Sequence, residues 1–140
     1  MLHRTLITRS LGILELLVGI GAVVSGAALV AVPSGALLGM RPELLESTPF
    51  RTFLIPGVLL CAVVGTSTTL AGVLALLRKR SAPISALMAG GILVGWMAIQ
   101  LALIGYRQPN QLLFLLFGLV ILGTAAALMA TAPKVETSGK

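Results

Sequence analysis

Charge is scarce in this chain. Only 10% of its 140 residues are charged, against roughly 25% in a soluble domain, so little of its surface is built to face water. There is one histidine, His3, near the start. Counting therefore excludes a histidine-ligated metal centre or a Ser-His-Asp triad within the apolar segments. The single cysteine, Cys61, lies in an apolar run. That excludes an intramolecular disulfide and a cysteine-based metal site. No catalytic, cofactor-binding or metal-binding motif is present, so we expect no enzyme activity and no cofactor.

Apolar sequence is what the chain has in quantity, with 57% hydrophobic residues. A soluble fold could not hide that much. Four continuous runs reach the ~20 residues that a helix needs to cross the hydrocarbon core: residues 11–32, 53–77, 84–104 and 112–130. They do not alternate, which excludes barrel strands. The expected fold is all-α: one membrane domain, a four-transmembrane-helix bundle with a longer first outer loop. Pro33-Ser34-Gly35 stops the first helix, Ser81-Ala82-Pro83 opens the third, and Gly105 to Asn110 separates the third from the fourth. The first run is too long for a signal-peptide core and lacks a small-x-small site after it, so it reads as a retained span.

The net charge of +6 belongs to membrane anchoring rather than to nucleic-acid binding. Arg4, Arg9, Arg78, Lys79, Arg80, Lys134 and Lys140 fall on one side of the four spans, and Arg41, Arg51 and Arg107 on the other. The positive-inside rule puts the first group, with both termini, in the cytoplasm. The setting expected is a bacterial inner membrane, with the lipid bilayer as the immediate partner.

Helix association in lipid relies on close packing and small residues. Gly12, Gly19 and Gly26 recur along the first helix, with Glu15 and Ala22 between them. Gly57, Cys61, Gly65, Thr68 and Gly72 share a face of the second. Gly91, Gly95, Ala98 and Ala102 mark the third; Gly123, Ala127 and Ala130 mark the fourth more weakly. These stripes are read as contacts within one bundle, or one of them as the face of a homodimer or a larger membrane complex.

Three polar residues stand out inside the spans. Glu15 lies about a turn inside the first helix, on the small-residue stripe. It is either a protonatable site or the partner of Arg9, Arg78 or Arg80 in an ion pair. Trp96 and Gln100, four apart on the third helix, are either a small pocket with a stacking wall and an amide, or a filler side chain and an interhelical hydrogen bond. Glu15 and Gln100 fall at opposite depths and are not expected to form one site. Thr66 to Thr69 should bond to carbonyls one turn back. The loop 33–52 holds Pro42-Glu43-Leu44-Leu45-Glu46, which reads as a short helix. Leu37, Leu38 and Met40 place it on the membrane surface or in the outer mouth of the bundle. It is a connector, or a cap over an outer cavity.

Pro33-Ser34-Gly35, Pro49-Phe50, Pro56-Gly57 and the Trp96/Gln100 pair resemble a group of small bacterial four-helix membrane proteins. In topology the chain is similar to DoxX-like membrane proteins, though no residue match carries a redox role onto it. Glu15 and Trp96 match the small multidrug transporters only in kind. A structural, accessory or partner-binding membrane protein is the reading expected, with a proton-coupled transporter using Glu15 and a DoxX-like redox-associated subunit as alternatives.

Overall fold

The structure is a computed structural model that describes residues 2–134; Lys140, part of the charge argument above, lies outside them. It is all-helical. Four helices are long and apolar enough to cross a membrane: α1 Leu2–Ala31, α2 Leu54–Leu76, α3 Ala82–Ile104 and α4 Pro109–Ala130. The chain is therefore a multi-pass membrane bundle. The helices neighbour one another in chain order, and α4 closes back onto α1.

The spans coincide with the apolar runs, but α1 begins nine residues before the expected start, at Leu2 rather than residue 11. The extra turns are held by polar contacts that hydropathy does not register. Arg4 donates to the Leu128 carbonyl (3.0 Å) and to Thr131 Oγ1 (3.1 Å). Thr8 donates back to the Arg4 carbonyl (2.9 Å). Arg4 thereby supplies donors to the orphan carbonyls at the C-terminus of α4, and brings the start of α1 and the end of α4 to the same face of the bundle. We call this the termini end, and the opposite one the loop end.

The α1–α2 seam is the tightest in the molecule, and its glycines are the reason. A Cβ at Gly26 would stand 2.6 Å from the Gly57 carbonyl oxygen and from the Cys61 nitrogen. Gly19 meets Thr69, Gly65 meets Val23, and Gly72 meets Gly12 and Leu16 in the same way. Only the absence of a side chain lets the two backbones approach this closely.

Within α2, residues Leu60–Gly65 form a π turn. Nothing in the apolar run marked an interruption at its centre. Hydroxyls follow the wide turn and accompany it. Thr66 Oγ1 donates to the Cys61 carbonyl (3.3 Å), Ser67 Oγ to Val63 (2.6 Å) and Thr68 Oγ1 to Val64 (2.7 Å). The back-bonding expected of this run is made by Thr66, Ser67 and Thr68, not by Thr69, and covers carbonyls that the π turn displaces from ordinary helical pairing.

The faces of α3 and α4 differ from the expected ones. The GxxxG pair Gly91/Gly95 does not pack inside the bundle: a Cβ at Gly91 meets only the Leu122 methyl at 3.8 Å, and one at Gly95 meets nothing within 4 Å. Gly90 makes the contact instead, with a Cβ position 3.0 Å from the Leu122 nitrogen, and Gly118 answers it against Leu93 and Val94. Ala82, Ala86, Ala89, Leu93 and Met97 are the buried face of α3. On α4 the buried face runs through Ile121, Ala125 and Leu128, while Gly123 meets open space. Adjacent residues point about 100° apart on a helix, so the Gly90-Gly91 pair supplies a small residue to two faces, and spacing alone selected the wrong one.

The loop between α1 and α2 folds over the loop end. It contains two 3-10 turns, Ala36–Leu38 and Pro42–Leu45, the second with Pro42 at its first position as expected. Gly35 adopts φ 78°, and an added Cβ there would also strike the Phe53 ring at 2.9 Å. Glycine is required on both counts. The Phe53 nitrogen donates to the Pro33 carbonyl (2.8 Å), closing the base of the loop. Ser47 Oγ donates to the Leu103 carbonyl (2.6 Å), fastening its far side to the end of α3.

Candidate functional site

Beneath this loop lies a chamber of about 450 Å³, within the range of ~300–1,000 Å³ common for small-molecule sites. Its floor is Val18, Ala22, Val64, Leu93 and Met97, all buried between α1, α2 and α3. Its roof is the loop itself, through Leu38, Met40, Leu44, Phe50 and Phe53. The loop is thus a cap over a cavity, not a plain connector. One wall is thin. Gly21 lines the chamber, and a Cβ there would meet nothing within 4 Å. Of the four neighbouring helix pairs, α1 and α4 touch least, so the chamber has its weakest wall between them.

Trp96 and Gln100 both line the chamber. The Gln100 side chain makes no hydrogen bond among the described residues, so the interhelical bond expected of it is not formed, and its amide belongs to the cavity wall. The Trp96 Nε1 is buried and likewise has no acceptor among the described residues. Ser25 of α1, which no residue pattern singles out, joins them in the lining. Among the described residues, no Asp, Glu, Lys, Arg or His side chain lines the chamber. A charged group inside would go uncompensated.

Glu15 is elsewhere. It is 0% exposed, on the face of α1 that also carries Val18, one turn nearer the termini end than the chamber floor. Neither carboxyl oxygen has a hydrogen-bond partner. The ion pair considered for it is absent: Arg9, Arg78 and Arg80 are all exposed, and none bonds to it. An ionised carboxylate without a partner in such a setting costs several kcal/mol. Thr69 Oγ1, against Gly19, is also buried without a partner. Glu15 and Gln100 are thus separate, as their depths required.

The predicted packing glycines divide by seam. Gly12, Gly19, Gly26, Gly57, Gly65 and Gly72 all lie in the α1–α2 contact, whereas Gly91 borders only the Leu122 methyl at ordinary contact distance and Gly95 meets open space. The chamber itself had no signal in the sequence, because residue patterns report where helices touch and not where they part.

A second recess of about 350 Å³ opens at the loop end, lined by Gly39, Arg41, Glu43, Leu44, Arg107 and Gln108. Leu44 and Gln108 line the chamber as well, so the two spaces adjoin. Gln108 is held by the start of α4: the Gln111 Oε1 accepts from the Arg107 nitrogen (2.8 Å) and from the Gln108 nitrogen (3.0 Å). With Pro109 at the first helical position, this is a capping box.

Fold and cavity together define a four-helix membrane protein with a capped apolar chamber at one end. No family model, no curated protein and no solved structure matches the chain.

Proposed function

We propose that this protein is a membrane-embedded binding protein that holds an apolar chain in the chamber beneath its first loop. The observation that carries this reading is the chamber: about 450 Å³, roofed by a fastened loop and lined without a single ionisable side chain. The hydroxyls of Ser25 and Thr48 line the chamber with no ionisable group in its lining to activate them, so binding rather than catalysis is the chemistry it supports. A guest would reach it from the bilayer by the thin wall at Gly21, where α1 and α4 touch least.

The protein lies in the cell membrane with its termini in the cytoplasm and the chamber in the outer half. Charge supports that orientation. Among the described residues, Arg4, Arg9, Arg78, Lys79, Arg80 and Lys134 flank the termini end, against Arg41, Arg51 and Arg107 at the loop end. The accessory, partner-binding role expected from the sequence becomes more specific in this reading: the partner is a small apolar molecule.

Trp96 is the only tryptophan in the chain and stands in the chamber wall, so it reports occupancy directly. Titration with 1-bromoundecane, a quencher, should lower its emission along a saturable curve. Gly21→Phe places a ring in the chamber without a backbone clash and should abolish the saturable component. Quenching that is linear and identical in both proteins would mean that the bromoalkane only dissolves in the surrounding lipid, and the reading would fall.

A further inference from the structure

The head of the guest is set by the recess above the chamber. Arg41, Arg107 and Glu43 face one space, yet no ion pair forms between them. Arg107 Nε is occupied by the Ile104 carbonyl (3.1 Å), which holds the side chain at the mouth and leaves its terminal nitrogens free. The Arg41 side chain makes no hydrogen bond among the described residues; only its carbonyl is used, by the Leu44 nitrogen (3.1 Å). Two cations against one carboxylate leave a single positive charge around the recess. Directly below, across the shared residues Leu44 and Gln108, the lining is free of charge. A largely apolar, charge-free space joined to a singly positive mouth has the polarity of a single-chain amphiphile.

We propose that the guest is a single-chain amphiphile with a monoanionic head: its chain fills the chamber, and its head lies between Arg41 and Arg107. This rests on the chamber reading of the previous subsection and adds the charge of the ligand to it. A neutral head would leave the two guanidinium groups without function in the complex. A head of higher negative charge would meet Glu43. A free anion would gain the arginines but none of the apolar burial that the chamber offers, at about 25 cal/mol per Å².

The test uses a matched pair, 11-bromoundecanoate and its methyl ester, titrated against the full chain in discs of neutral lipid at a pH where the acid is ionised. Trp96 quenching is the readout, and acetate is the competitor without a chain. Both long probes should quench saturably, with the acid bound roughly fivefold more tightly, the scale of a solvent-exposed ion pair. Arg41→Gln combined with Arg107→Gln should bring the acid to the affinity of the ester and leave the ester unchanged, which also shows that the variant is folded. Glu43→Gln should tighten the acid alone. Added salt should narrow the difference between the two probes, and acetate should not displace either.

An ester that binds as tightly as the acid, or an acid indifferent to the arginine and glutamate variants, would overturn the anionic head and leave the chamber standing. Displacement by acetate would overturn the amphiphile in favour of a simple anion site. No saturable quenching by either long probe would remove the chamber reading itself.

Discussion

Glu15 is the residue whose chemistry its surroundings least explain. It is fully enclosed, both oxygens lack a donor among the described residues, and the arginines at its end of the bundle are exposed or, in the case of Arg4, bonded to the end of α4. A buried polar group left unsatisfied costs about 1–3 kcal/mol. Glu15→Met, similar in length and without polar atoms, should therefore stabilise the bundle by about that amount, read as resistance to unfolding in mixed detergent. A loss of stability would show that the carboxyl has a partner in the membrane. The sequence made Glu15 conspicuous but could not decide its partner, because charge pairing depends on where long arginine side chains turn. The glycines give a sharper contrast. Gly26→Leu drives a side chain into the Gly57 and Cys61 backbone and should cost about 1–3 kcal/mol or more. Gly95→Leu enters open space and should stay within about 0.5 kcal/mol of the parent, measured in the same unfolding assay.

Among the elements, all four spans were legible, but the contact faces of α1 and α2 were readable where those of α3 and α4 were not, and the difference is physical. Gly12, Gly19 and Gly26 recur at one spacing that marks a single face of α1, so pattern and contact coincide. On α3, Gly90 and Gly91 are neighbours about 100° apart, and Ala or Gly occurs on both resulting faces. The spacing of four at Gly91 and Gly95 was real but lay off the close contact with α4, which Gly91 only borders and Gly95 does not reach. The π turn at Leu60–Gly65 was not legible at all. Every residue in it suits an ordinary apolar helix, and only the hydroxyls that follow hint at carbonyls needing donors. The loop was legible in part: Pro42 did begin a short helical turn, and Met40 turns half-buried toward the chamber, while Leu37 stays exposed and Leu38 lines the roof with much of its surface still exposed. Its role as a roof depends on single contacts made over long separations. Ser47→Ala removes the bond to the Leu103 carbonyl and should release the loop by about 1 kcal/mol. Faster amide hydrogen exchange across residues 36–50, with the helices unchanged, is the expected signature. Unchanged exchange in the loop would show that the roof is held by packing alone.

At the scale of the whole molecule, the four spans followed from composition, because apolarity over ~20 residues leaves a chain in lipid no alternative to a helix. The orientation rests on basic residues gathered at the termini end and should be measurable without any ligand. A reporter fused behind Lys134 should be active only inside the cell, and one inserted between Arg41 and Arg51 only outside. The reverse pattern would invert the protein and place the chamber in the inner half of the membrane. What composition could not convey is that the bundle is incompletely filled. A packed four-helix protein would be a scaffold, whereas this one keeps a capped, charge-free space above its buried carboxylate. Native mass spectrometry of the protein released from its own membranes tests that claim most directly. The parent chain should carry one small apolar or amphiphilic molecule at a one-to-one ratio, and Gly21→Phe should emerge without it. A parent and a variant with the same adducts, or a parent with none, would contradict the account.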